Sequence, residues 1–131
     1  MKKKHTGERL ETFIFNGNTI NHLHRYALAL EICKNKVVLD IASGEGYGSD
    51  ILSGEAKHVY GVDIDENTVE KAREKYVKKN LEFKVGSTSE IPLEDNSIDI
   101  VISFETLEHH DEHKKMMVEI KRVLKHDGML L

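Results

Sequence analysis

The stretch VVLDIASGEGYGSDIL, residues 37–52, places two carboxylates, Asp40 and Glu45, beside glycines at positions 44, 46 and 48. A glycine turn that opens a helix presents backbone N–H groups and a partial positive charge, which suits a diphosphate. The dinucleotide fingerprint, however, needs its third glycine at position 49, where this chain has Ser49. Asp40 and Glu45 would also repel a pyrophosphate in a site of reduced dielectric. A nucleoside with a cationic or zwitterionic tail reverses that objection, because the carboxylates can accept from an ammonium or offset a sulfonium. Glycines, lacking Cβ, let such a ligand pack directly on the backbone. Asp63, 19 positions after Gly44, suits a bidentate grip on ribose hydroxyls, as acids near that spacing do in nucleotide folds. The pattern favours a sulfonium nucleoside over a dinucleotide.

Positioning these groups requires an ordered set of elements. Ile20, Leu23, Ala27 and Leu30 recur near helical spacing and predict a helix over Thr19–Glu31. KVVLDI (36–41) is a compact apolar run and the first expected strand; a short helix over 47–54 should start in the glycine turn and stop at Gly54. HVYGVDI (58–64) is the second strand. Asp65 is placed to cap a helix over 67–79 with Val69, Ala72, Tyr76 and Val77 as its apolar stripe. LEFKV (81–85) and SIDIVISF (97–104) supply strands three and four. A further helix, capped by Asp111, sets Met117, Ile120, Val123 and Leu124 on one side, and HDG then turns into GMLL (128–131), the start of strand five. Strands alternating with helices predict an α/β fold, a doubly wound, mainly parallel sheet with helices on both faces. Such sheets bind ligands beyond the carboxyl ends of their strands, where Asp40, Asp63 and Phe104 are expected.

Bulk composition narrows the classes further. At 131 residues, 39% hydrophobic and 32% charged, the chain reads as one soluble domain with a real core. A net charge of −4 gives no electrostatic reason to expect nucleic acid as a partner. No apolar run is long enough for a membrane span, and the MKKKH start lacks the apolar segment of a signal peptide. One cysteine, Cys33, excludes an internal disulfide framework and reads as a small buried filler. A cytoplasmic protein is the simplest expectation.

At the residues quoted above, the chain resembles the class I S-adenosylmethionine-dependent methyltransferases, type 11-like, over roughly residues 36–131. VVLDIASGEGYG resembles the family's first motif with Ala42 in place of its first glycine, and VYGVDID resembles the second. FKVGSTSEIPLEDNSIDIVISFETLEHH and LKHDGMLL resemble the stretches carrying strands three and four and leading to strand five. The resemblance implies a Rossmann-like strand order 3-2-1-4-5 and S-adenosylmethionine as cofactor. Asp40, Ala42, Gly44, Glu45 and Gly46 would then line its methionine end, with Asp63 on the ribose and Ile64 against the adenine. Ser87 and Thr88 would meet the adenine edge, where many members carry an aspartate for Ser87, and Phe104 would lie beside the methionine arm.

TGERLE followed by NHLHRYALALEI resembles the lead-in of bacterial methyltransferases linked to surface-polysaccharide pathways, which implies a small-molecule or glycan-type acceptor. Residues 1–35 would form an N-terminal arm and covering helix, with His22, His24, Arg25 and Tyr26 over the pocket. Leu23 and Ala27 would equally dock that helix on the sheet, and both readings stand. Members of the family usually add two antiparallel strands after strand five. The expectation is therefore a single, incomplete domain over 1–131, whose apolar GMLL edge is open to pairing with a second copy. For the acceptor proton, His109 is the first candidate base and Glu105 the second, with a solvated or capping role for His109 standing beside it. HHDEH (109–113) invites a metal, but its spacing matches no familiar zinc pattern and no metal is expected. Asp65 reads as a cap and the EKAREKYVKK charges as a solvated face. The alternative to an enzyme is a noncatalytic S-adenosylmethionine-binding or dimerising module.

Overall fold

A computed structural model of the chain describes residues 17–103 and 110–131, with the side chains of 24–103 and 113–131. Phe104, Glu105 and His109, and the side chain of His22, lie outside the described residues. The described elements run α1 (Gly17–Ile32), β1 (Val37–Ile41), α2 (Tyr47–Leu52), β2 (His58–Asp63), α3 (Glu66–Lys75), β3 (Leu81–Val85), β4 (Ile98–Ile102), α4 (His110–Val123) and β5 (Leu124–Leu130). The five strands form one sheet in the order β3-β2-β1-β4-β5, and every named pair is parallel. This is the Rossmann-like order expected from the sequence.

The alternation of side chains along each strand divides the core into two layers. Val38, Val59, Leu81 and Phe83 face Tyr26 and Ala29 of α1, Leu52 of α2, and Val69 and Ala72 of α3. On the opposite side Leu39, Ile41, Val62 and Val101 meet Met116, Ile120 and Val123 of α4. A strand buried on both faces needs apolar residues at every position, which is why β1 reads as a continuous run interrupted only by Asp40.

Four expectations are corrected by the packing. Among the described side chains of α1, Tyr26 and Ala29 are buried, with Cys33 just after the helix, while Ala27 is exposed and Leu30 half-buried; the side chains of Ile20 and Leu23 lie outside the described residues. The helix over 67–79 is shorter: α3 ends at Lys75, Tyr76 turns extended and Val77 is 83% exposed. The cause is nonlocal. Lys78 Nζ pairs with Asp50 at 2.7 Å, and Asn80 Nδ2 donates to the carbonyls of Ser53 and Ala56, so the segment after α3 is tied to the end of α2. In α4 the helix begins at His110, so Asp111 is inside it rather than its cap; Met116 is buried where Met117 was expected, one residue or about 100° around the helix. Leu124 is the first residue of β5, and HDG lies within that strand rather than in a turn before it. Ile98 pairs with Leu124 but Ile100 with Met129, so the extra residues bulge out between them.

The loop before β4 is clasped by α4. Arg122 donates to the carbonyls of Ile91 and Leu93 and to the carboxylates of Asp95 and Glu119, and Glu119 accepts from the Ile91 N–H at 2.8 Å. The Arg122 guanidinium therefore holds the Glu119 carboxyl below its ordinary value of 4.5, against the opposing effect of burial. A depressed carboxyl stabilises the fold above its unfolded pKa and ceases to do so as pH falls through its folded pKa. Glu119→Gln is expected to lower stability at neutral pH and to flatten the loss below pH about 4.5, checked by denaturant melts across that range.

Candidate functional site

The turn after β1 crosses to the end of β2. Ser43 N–H donates to the Val62 carbonyl at 2.9 Å, and Gly44 N–H donates to Asp63 Oδ2 at 2.9 Å. Asp63 Oδ1 accepts from the Asp65 N–H at 3.0 Å, so one half-buried carboxylate organises both the glycine turn and the entry to α3. Asp65 in turn caps α3 by accepting from the Asn67 N–H at 3.3 Å, as its position predicts. An ionised carboxylate has about four acceptor positions, and two on Asp63 remain for hydroxyl groups.

The glycines of the turn differ in use. Gly44 has φ +58°, and a Cβ built on it would meet nothing within 4 Å. It borders open space in a conformation that side chains resist. Gly46 turns its missing Cβ toward Phe83 and Ala72, so only its backbone can face a ligand. Gly48 has another reason: a Cβ there would stand 2.2 Å from Tyr26 Cζ. Ala42, at φ 59°, adopts the left-handed backbone that a glycine would take without strain.

Around Gly44 and Asp63 lie the other expected residues. Ile64 is 72% exposed, and Val85, paired with Asp63 across β2 and β3, is 38% exposed. Two bare apolar side chains flanking a carboxylate make a surface for a flat ring. Val85 was missed by sequence reasoning, because a strand-end valine reads as core; its signal was its place directly before Gly86-Ser87. Ser87 and Thr88 are half-buried in a tight turn in which Ser87 Oγ accepts from the Ser89 N–H at 3.0 Å. Glu45 is exposed at the rim and Arg25 is exposed on α1.

Asp40 departs most from expectation. It is 1% exposed, and its carboxylate accepts from Ser49 Oγ at 2.8 Å and from Tyr26 Oη at 3.2 Å to either oxygen. Tyr26, expected as a pocket cover, is 5% exposed and seated beneath the turn. Burial, reinforced by the Asp40 charge, pushes the Cys33 thiol up to about 12, which removes it as a nucleophile near neutral pH. Among the described residues no His, Cys, Asp and Glu cluster could hold a metal ion. The His109–His113 segment lies partly outside them. A separate cavity of about 590 Å³, lined by Tyr60, Glu82, Lys84 and residues 91–94, shares no residue with this site.

The family model described as "Methyltransferase domain" matches residues 39–131. A probable S-adenosylmethionine-dependent methyltransferase of Mycolicibacterium smegmatis is 34% identical over 128 residues, 96% of this chain and 49% of that protein. The crystal structure of YcgJ from Bacillus subtilis superposes with a TM-score of 0.73 at 32% identity, covering 83% of this chain and 50% of the other. Haemonchus contortus phosphoethanolamine N-methyltransferase 1, in complex with phosphoethanolamine and S-adenosylhomocysteine, gives 0.66 at 26% identity, over 74% of this chain and 22% of its own. The chain thus spans about half the length of the first two relatives. The strain at Ala42 can be measured directly: Ala42→Gly is expected to raise unfolding stability by about 1 kcal/mol in chemical denaturation.

Proposed function

Because the chain belongs to the methyltransferase-domain family, we infer that it binds S-adenosylmethionine at the carboxyl ends of β1, β2 and β3 and serves methyl transfer to a small-molecule or glycan-type acceptor. The observation that carries this reading is Gly44, a left-handed residue bordering open space whose N–H is fixed by the ribose-type acid Asp63. S-adenosylmethionine is the cofactor, and the residues present fit it. Asp63 keeps two acceptor positions for ribose hydroxyls, while Ile64 and Val85 offer apolar surface to the adenine. Ser87 and Thr88 lie on the loop that would meet the adenine edge. Glu45 and the backbone of Ala42, Gly44 and Gly46 would face the methionine end, with Phe104 beside it.

When bound, the cofactor supplies a methyl on a sulfonium, whose departure leaves a neutral thioether. The protein's part is then to hold the acceptor in line with that methyl and to exclude water. His109, or Glu105 after it, would take the proton of an acceptor hydroxyl or amine through its ring nitrogen or carboxylate oxygen. The lead-in TGERLE…NHLHRYALALEI supports an acceptor of surface-polysaccharide chemistry in the cytoplasm. Among the described residues no helix is long and apolar enough to cross a membrane.

A second reading is a noncatalytic module. Its site would bind the cofactor without turnover, as an S-adenosylmethionine-binding module that pairs through β5, where Met129 and Leu130 are 47% and 37% exposed. Turnover with any acceptor separates the two readings.

Calorimetric titration of wild type and Asp63→Ala with S-adenosylmethionine, its demethylated product and NAD tests the cofactor reading. Wild type is expected to bind the first two and not NAD, and Asp63→Ala to bind about a hundredfold more weakly, the loss of two hydrogen bonds to a charged group. NAD binding in preference to S-adenosylmethionine would overturn it.

A further inference from the structure

We propose that Tyr26 is a positioning residue of the cofactor site, acting through Asp40 to hold the turn that receives the methionine end. The proposal rests on the S-adenosylmethionine reading and goes beyond it. Tyr26 precedes residue 39, where the methyltransferase-domain match begins, so the family pattern does not assign it a role.

The geometry links three elements through one carboxylate. Tyr26 stands in α1, Asp40 in β1 and Ser49 in α2, and both hydroxyls donate to Asp40 within a space that is 1% exposed at the acid and fully closed at the serine. Tyr26's ring also fills the place a Cβ on Gly48 would occupy, so the first turn of α2 closes directly on it. The Tyr47 ring, at the start of α2, lies 6.3 Å from the Tyr26 ring, centroid to centroid. Gly44 and Glu45, between Asp40 and Tyr47, are therefore fixed from both ends, at Asp63 on one side and at the Tyr26–Asp40–Ser49 contact on the other.

The Asp40 carboxylate is enclosed, at 1% exposure. Its charge is held by side-chain hydroxyls, and its effect on the ligand passes through the turn. The nucleoside end is bound elsewhere, by Asp63, Ile64 and Val85. Loss of the Tyr26 hydroxyl should thus loosen the methionine end and leave the nucleoside end intact.

The test titrates wild type, Tyr26→Phe, Asp40→Asn and the double variant with S-adenosylhomocysteine and with 5′-methylthioadenosine, which carries the nucleoside without the amino-acid end. Tyr26→Phe is expected to weaken S-adenosylhomocysteine about tenfold and 5′-methylthioadenosine by less than about threefold, the loss of one hydrogen bond to a charged group felt at one end only. The double variant should bind no more weakly than the weaker single variant, as residues acting through one path do. Equal losses for both ligands, no loss for either, or fully additive losses would overturn the role of Tyr26. If Tyr26→Phe does not fold, Ser49→Ala removes the other hydroxyl described on Asp40 without altering α1 and carries the same comparison. Wild type binding neither ligand would instead overturn the cofactor reading itself.

Discussion

The structure is organised around a carboxylate placed where solvent cannot reach it. Asp40 occupies the central strand of a five-stranded sheet and is 1% exposed. Leaving such a charge without donors costs several kcal/mol, so the fold must bring hydroxyls or N–H groups to it. It brings Ser49 from the helix that follows the strand and Tyr26 from the helix that precedes it. That requirement explains two features that otherwise look unrelated. Position 48 must be glycine because the tyrosine ring passes against it, and the described side chains of α1 dock through Tyr26 and Ala29. Leu28 and Ile32 are left outward as a result, at 60% and 42% exposure.

Topology does the rest of the placement. In a parallel sheet all strands end on the same side, so order β3-β2-β1-β4-β5 carries Asp40, Asp63 and Val85 to one rim without any long connection. The turn after β1 reaches across to β2, and its amide lands on Asp63. The β3 edge is kept from pairing with other chains by different means. Its residues on the α4 side of the sheet are Glu82 and Lys84, charges that disfavour a flat apolar edge.

Much of this was legible in the sequence, for identifiable reasons. The alternation of strands and helices and the parallel sheet follow from local patterns, compact apolar runs between amphipathic segments, while the strand order was implied by the family resemblance and the Gly44 N–H bond to Asp63 was not foreseen. The errors share one physical origin, which is that distant contacts decide them. The end of α3 is set by Lys78 and Asn80 reaching back to α2, while helical periodicity alone continues to residue 79. The core face of α1 is set by a polar ring atom seeking Asp40, and a hydrophobic count gives Tyr26 too little weight. The break in β5 depends on its register with β4, which no single strand encodes.

The two acids of the site show how environment divides labour between identical side chains. Asp63 is half-buried, and each of its oxygens accepts one backbone N–H, which orients the carboxylate. Backbone donors hold their place whether or not a ligand is present, so in the proposed reading the acid is preorganised for hydroxyl groups. Asp40 is 1% exposed and accepts from side-chain hydroxyls, and in the proposed reading it contributes position and negative potential. A pyrophosphate at the turn would meet the charge of both acids with little water between, whereas a sulfonium nucleoside meets the same field as attraction. Ligand preference here follows from the sign of two charges and the glycine that lets the ligand approach them.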